Sequence, residues 1–326
     1  MTQKANWWIR KGKKIKCILC PKLCLLSPGE TGLCGVRKNE SDVLSLPGYG
    51  MVTAEAQDPI EKKPLFHFYP GETAWSIGFA GCNLRCPFCQ NHSIARANPN
   101  SGRFTAPSRV IDDAVSSAAK IIAYTYSEPT IHFEYLMECA YRASNAGLKN
   151  VLVTNGNLNS KPALELLKRM DGVNVDLKSW SSEYYKETLG GDLKTVKKFI
   201  ENALAHCWVE ITTLVVPGDN DDEDEIESIS EWITSLSADI PFHLSAYHPA
   251  YKYSRPATSS SKLKRVYDAA SKKLHFVYIG NLGIENCTQC PNCNHPLISR
   301  SSYRVKSVML GEKCPNCGLK IPGVFK

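Results

Sequence analysis

GFAGCNLRCPFCQNH, residues 78 to 92, decides how this chain is read. The stretch grows out of the apolar run WSIGF (75 to 79) and sets Cys82, Cys86 and Cys89 at the spacing C-x3-C-x2-C. A [4Fe-4S] cluster normally takes four protein thiolates, so three on one short loop hold three irons and leave the fourth open to another ligand. A structural zinc loop is the alternative. It lacks a nearby fourth cysteine, and His92 would have to complete it.

Outward from this loop, from Trp75 to about Gly280, short apolar runs alternate with helical patterns. The runs are IIAYTY (121 to 126), NVLVT (150 to 154), VNVDL (173 to 177), WVEITTLVV (208 to 216), FHLSAY (242 to 247) and HFVYIG (275 to 280). Ser108 is the expected cap of a helix running through Lys120. Another runs from Phe133 to Ala146 and is ended by Gly147, and further helices are expected at 161 to 170, 193 to 206, 223 to 236 and 261 to 273. Strand-helix alternation of this kind builds a parallel sheet. The fold class is therefore α/β, as a partial or complete parallel (β/α) barrel rather than a doubly wound sheet. In parallel barrels the chemistry sits at the carboxyl ends of the strands, and the unusual polar residues of this chain fall there.

The cysteine spacing, its place after a first strand and the aromatic Phe88 before the third cysteine resemble the radical S-adenosylmethionine (SAM) superfamily. The resemblance implies that the open iron chelates the amino and carboxylate groups of SAM. One electron then breaks the carbon-sulfur bond to give a 5'-deoxyadenosyl radical, and Phe88 packs near the adenine. Over most of residues 75 to 280 the chain is similar to the branch containing pyruvate formate-lyase activating enzyme. YSEP, Tyr126 to Pro129, stands where that branch carries GGEP, whose backbone and Glu hold the methionine ammonium. That role passes to Tyr126, Ser127 and Glu128, with an ordinary strand-end carboxylate as the alternative for Glu128. TNG, which contains Asn155, and DLK, Asp176 to Lys178, resemble the positions that contact the SAM carboxylate and ribose. Asp176, between Val175 and Leu177, reads as a buried carboxylate in need of a partner, which Lys178 can be. His248 falls at the ribose-contacting position, although an isolated strand-end histidine is often structural. Val153 replaces an Asp that helps bind a cation in the activases, and Thr212 or Thr213 stands where they carry an Arg.

Of the 14 cysteines, twelve fall into three groups, and such clustering in a chain this long argues for metal sites over disulfides. Cys290, Cys293, Cys314 and Cys317 form two C-x2-C knuckles separated by the hairpin-like LISRSSYRV. They are expected to hold zinc in a four-thiolate ribbon, with a rubredoxin-like iron site as the rival. Cys287 reads as unligated. Cys17, Cys20, Cys24 and Cys34 hold either zinc or a second iron-sulfur cluster, and the spacing does not choose. Three segments follow: a Cys-rich, irregular N-terminal segment (1 to 70), a radical SAM core (71 to 283) and a C-terminal zinc-ribbon-like module (284 to 326). Together with PLFHFYPG (64 to 71), CQN and YSEPT, the arrangement resembles the AmmeMemoRadiSam system radical SAM enzymes along almost the entire chain. It implies Memo-like and AMMECR-like proteins as partners and a single-electron donor such as a flavodoxin or ferredoxin. His67 and Tyr69 read as packing beside a turn, and Cys139 and Cys207 as small buried hydrophobes.

The hydrophobic content of 43% supports one large core. No apolar stretch is long enough to span a membrane and the start lacks a signal-peptide pattern, so a cytoplasmic protein is expected. The formal charge of +7 counts every thiol as neutral, and metal-bound thiolates would offset it. The leading functional reading is an enzyme that abstracts hydrogen from a substrate the sequence does not name, with RNA and protein both open. The first rival is an activase that makes a glycyl radical on a partner enzyme. The second is a zinc-ribbon module binding nucleic acid or protein, with a vestigial cluster and Arg300, Arg304, Lys306 and Lys313 as contacts. No residue stands out for the hydrogen abstraction itself.

Overall fold

The computed structural model describes residues 3 to 325. Its main sheet has nine strands: β1 (Met51–Pro59), β2 (Thr73–Phe79), β3 (Arg103–Phe104), β4 (Ile121–Thr125), β5 (Lys149–Thr154), β6 (Gly172–Asp176), β7 (Trp208–Val215), β8 (Phe242–Ala246) and β9 (Val277–Gly280). The order is β9-β8-β7-β6-β5-β4-β2-β1-β3, in which β2 and β4 to β9 pair parallel. Edge strands β9 and β3 stay unpaired with each other, so the barrel is partial. All seven apolar runs expected from the sequence are strands of this sheet. Every residue of β4 and β8 is buried, as strands covered on both faces are.

Helices α1 (Pro107–Ser116), α2 (Phe133–Asn145), α3 (Ser160–Leu167), α4 (Leu193–Leu204), α5 (Glu223–Leu236) and α6 (Ser260–Ser271) connect these strands. Asp192, Asp222 and Ser259 cap α4, α5 and α6 by accepting from backbone N–H groups of the first turn. Gly147 ends α2 with φ +79°, and the Leu148 N–H donates to the Ala143 carbonyl at 2.9 Å. The expectation for α1 is corrected at both ends. Pro107 takes the first helical position, where its missing N–H costs nothing, so Ser108 lies inside the helix and is not its cap. The helix stops at Ser116, because the Ser117 hydroxyl donates to the Ala114 carbonyl and Ala118 turns to φ +57°.

A second correction concerns residues 1 to 70, which are not irregular throughout. β1 pairs antiparallel with β2 from Val52 opposite Phe79 to Pro59 opposite Thr73. Its sequence, MVTAEAQDP, shows neither strand alternation nor β-branched enrichment, and backbone pairing with β2 supplies what the side chains do not. Two three-stranded sheets precede it, one joining Gln3–Lys4, Lys38–Glu40 and Val43–Leu46, the other Trp8–Lys11, Lys14–Cys17 and Leu25–Leu26. At the other end, Asn286–Gln289, Pro296–Ser301 and Arg304–Ser307 form an antiparallel sheet, the hairpin turning at Ser302 and Tyr303 with φ +47° and +66°. Leu297 and Ile298 of this ribbon share a small core with Phe276 and Tyr278 at the β9 edge. Among the described residues, no helix is long and apolar enough to cross a membrane.

Candidate functional site

A cavity of about 590 Å³ opens at the carboxyl ends of the parallel strands, within the usual size of small-molecule sites. Cys82, Cys86 and Cys89 line it, on the loop that leaves β2. This loop is held from three sides. The Asn83 amide donates to the Asn157 carbonyl at 2.8 Å, the Arg85 N–H donates to the Leu189 carbonyl at 2.8 Å, and Arg96 donates to the Leu84 carbonyl at 2.8 Å. The Leu84 N–H and the Asn155 amide lie 3.4 and 3.8 Å from the Cys82 sulfur. Burial raises the Cys82 thiol, and raises Cys86 to about 11, so metal binding must displace protons from both. No fourth cysteine lines the cavity. His92, the one candidate for completing a zinc loop, lies outside it, with Nδ1 at 3.2 Å from the Cys89 carbonyl and its ring stacked on Tyr251. Three thiols in a roomy chamber fit a cluster with one open iron and do not fit a closed tetrahedral ion.

Glu128 is fully buried beneath this chamber. Its Oε1 accepts from the Thr130 N–H and hydroxyl at 3.2 and 2.6 Å and from the Thr154 hydroxyl at 2.7 Å. Oε2 accepts only from the Asn155 N–H, at 2.8 Å, which leaves it lone-pair capacity. Burial raises the carboxyl above its ordinary value while these donors pull it back. Tyr126, Ser127, Asn155, Asp176, Lys178 and Phe88, the residues that the family resemblance put forward as SAM contacts, line the same cavity. Asp176 departs from the expected burial. A third of its side chain is exposed, facing the cavity, and Lys178 pairs with it at 3.1 Å. His248 departs further. It is exposed, bonds to the Asn281 carbonyl at 3.1 Å, and sits outside the cavity wall in a shallow depression, because the chain turns outward after β8.

Asp58 and Tyr185 carry no motif and were missed. Asp58, at the end of β1, accepts from Tyr126 at 2.7 Å, Lys63 at 2.8 Å and Lys62 at 3.0 Å. Thr212, one of the two threonines expected where the activases carry an Arg, has its hydroxyl buried and unpartnered on the cavity wall. Tyr185 accepts from the Lys178 N–H at 2.9 Å and so sets DLK, from a helical turn the sequence did not announce. A second cavity of about 330 Å³ shares Lys62, Pro64, Ser245 and Asn281 with the first, and the ribbon turn at Ser302 and Tyr303 walls its far side.

The cysteines outside the core differ in geometry. The ligand atoms of Cys290, Cys293, Cys314 and Cys317 all lie within 4.8 Å of one another, with Cys290 to Cys317 at 3.5 Å and Cys293 to Cys314 at 3.7 Å. A metal at 2.3 Å from four tetrahedral sulfurs sets them about 3.8 Å apart, so one ion fits. Cys287 stays outside this group, its thiol directed at the Thr288 carbonyl at 3.6 Å. Cys17, Cys20, Cys24 and Cys34 line a separate small void. His67 is fully buried, held by the Pro322 carbonyl at 2.7 Å and Tyr278 at 2.6 Å, so it packs as expected and does not reach the cavity.

Comparison with known proteins agrees with this geometry. The sequence model of the Radical SAM superfamily matches residues 76–231. An uncharacterized protein of Methanocaldococcus jannaschii is 37% identical over 319 residues, covering 94% of this chain and 95% of that protein. Pyruvate formate-lyase 1-activating enzyme of Escherichia coli is 23% identical over 186 residues, 54% of this chain and 74% of the enzyme. Among solved structures, Streptococcus suis SuiB bound to precursor peptide SuiA has a TM-score of 0.50 at 18% identity, covering 68% of this chain and 52% of SuiB. That last likeness is one of fold.

Proposed function

From the premise that this chain belongs to the radical SAM superfamily, we propose that it reductively cleaves SAM at a [4Fe-4S] cluster on Cys82, Cys86 and Cys89 and abstracts hydrogen from a substrate held beside it. One observation carries the proposal: three thiols and a buried carboxylate with spare lone-pair capacity converge on a single cavity that contains no fourth cysteine. When bound, the cluster supplies one electron to SAM, whose carbon-sulfur bond breaks to methionine and a 5'-deoxyadenosyl radical. The remaining work falls to the chain. Glu128 Oε2 accepts from the methionine ammonium, Tyr126 and Ser127 present strand-edge backbone to it, and Asn155 donates toward Cys82. Asp176 accepts from ribose hydroxyls while Lys178 balances its charge, and Phe88 walls the adenine.

The adjoining 330 Å³ cavity is the place for the substrate, and its ribbon wall favours a small molecule or a single side chain. Activation of a partner by glycyl radical formation is the second reading, supported by the likeness to the E. coli activase. We set aside the vestigial-cluster binding module, because Cys82, Cys86, Cys89 and the buried Glu128 all line one cavity. The resemblance to AmmeMemoRadiSam system enzymes extends the proposal to Memo-like and AMMECR-like partners and to a flavodoxin or ferredoxin as donor. At the ribbon, zinc is the proposed ion.

The test is anaerobic incubation of the iron-loaded protein with SAM and dithionite. Formation of 5'-deoxyadenosine and methionine is expected, and Cys82→Ala, Cys86→Ala or Cys89→Ala should abolish it. A wild-type protein that carries the cluster and leaves SAM intact overturns the reading.

A further inference from the structure

We propose that Cys17, Cys20, Cys24 and Cys34 hold a second [4Fe-4S] cluster, and that this cluster passes electrons to the one at Cys82, Cys86 and Cys89. The sequence left zinc and iron-sulfur open at this site, and geometry separates them. Among the described residues, only the C-terminal four thiols gather within 4.8 Å of one another, at the separation a single ion demands. The N-terminal four do not gather so, and instead line one void together with Arg37. Four thiolates around one zinc at 2.3 Å stand about 3.8 Å apart, closer than these four gather. A cubane suits that spacing, because each thiolate binds a different iron at the corner of a body several atoms wide.

A second observation points the same way. Arg37 lines the void and is almost wholly buried; its two terminal nitrogens bond to Glu134, Asn6 and Ile131, yet its Nε has no partner. A buried cationic donor left unsatisfied costs free energy unless something absent from the chain accepts from it. An anionic cluster with thiolate and sulfide acceptors is such a group.

The second part of the proposal rests on the radical SAM reading and on contact between the two cysteine loops. The Cys82 N–H donates to the Cys34 carbonyl at 3.3 Å. Gly81, at φ +92°, makes the approach possible: a Cβ there would stand 2.7 Å from the Cys34 carbonyl oxygen and 2.8 Å from Val36. With four thiolates, the second cluster has no open iron for a substrate, so its use is electron transfer. A low-potential one-electron carrier protein reduces it from the 2+ to the 1+ state. It returns to 2+ as the cluster at Cys82 goes from 2+ to 1+, and no atoms move.

The full chain carrying Cys82→Ala, Cys86→Ala and Cys89→Ala together tests the site. Loaded anaerobically, it should keep about four irons and give, on reduction, a cubane EPR signal that SAM does not alter. A second zinc in place of iron, or a [2Fe-2S] spectrum, overturns the assignment. Iron in the wild type provides the same test should that variant fold poorly, with about eight per chain expected and about four overturning it. Cys20→Ala tests the relay. SAM cleavage driven by dithionite should persist, while cleavage driven by reduced flavodoxin should fall about tenfold or more. Equal rates with both donors, or equal losses with both, overturn the relay. A wild type that does not cleave SAM would sink the function proposed above and leave the iron count standing.

Discussion

Glu128 is committed to its own chain before any ligand arrives, with four donors on two oxygens and only Oε2 able to take another. Glu128→Gln keeps the size but replaces one oxygen by a donor, so it both loses the ammonium acceptor and opposes an N–H or hydroxyl. SAM affinity should fall roughly ten- to hundredfold, the worth of a charge-assisted hydrogen bond, with cluster absorbance unchanged. Equilibrium binding of SAM to the iron-loaded variant measures this, and wild-type affinity would remove Glu128 from the site. Asp176→Asn should show a smaller loss, because its carboxylate is a third exposed and shared with Lys178. At this scale the cluster cysteines, Glu128 and Asp176 were legible because motif spacing carries them. Asp58 and Tyr185 were not, since nothing local distinguishes them from other polar residues near turns.

Elements depend on buried polar anchors as much as on apolar packing. PLFHFYPG is tied to the sheet by Glu210 on β7, which is fully buried and accepts from the Phe66 and His67 N–H groups at 2.9 and 2.7 Å, from Trp208 at 3.0 Å and from His243 at 2.6 Å. Glu210→Ala leaves these donors without a partner and should destabilise the protein by about 3 to 5 kcal/mol, read from the midpoint of denaturant unfolding. A change below about 1 kcal/mol would show that water replaces the carboxylate. The ribbon has too small a core to hold itself, so the zinc proposed for its four thiolates would contribute the missing free energy. Cys290→Ser with Cys314→Ser should remove zinc, loosen the hairpin at Ser302 and Tyr303, and leave the radical-site absorbance intact. Metal analysis that finds iron there in the wild type would favour the rubredoxin-like alternative. The hairpin was visible in LISRSSYRV, whereas β1 was hidden, because its pairing is a property of β2's exposed edge and not of its own side chains.

For the molecule as a whole, stability should decline in mild acid. Burial lowers His67 and His132 from 6.5 to about 4, so both are neutral in the folded protein while the unfolded chain takes up their protons at 6.5. The folded state is therefore unaffected above pH 6.5 and loses stability as pH falls toward 4, by about 2 kcal/mol for each histidine at pH 5. Urea unfolding of the metal-loaded protein at pH 7.5 and 5 measures the decline, and His67→Gln should remove about half of it. A midpoint that does not move between these pH values would refute the buried neutral state. What the sequence alone determined here is local: the period of the strands and helices, the three-cysteine loop and the paired knuckles, all set by spacing along one short stretch. The tertiary structure decided which cysteines stand close enough for one ion and which do not. It also decided that the sheet stays open, that β1 joins it and that the ribbon walls a second cavity, because these depend on distances between segments that no local spacing encodes.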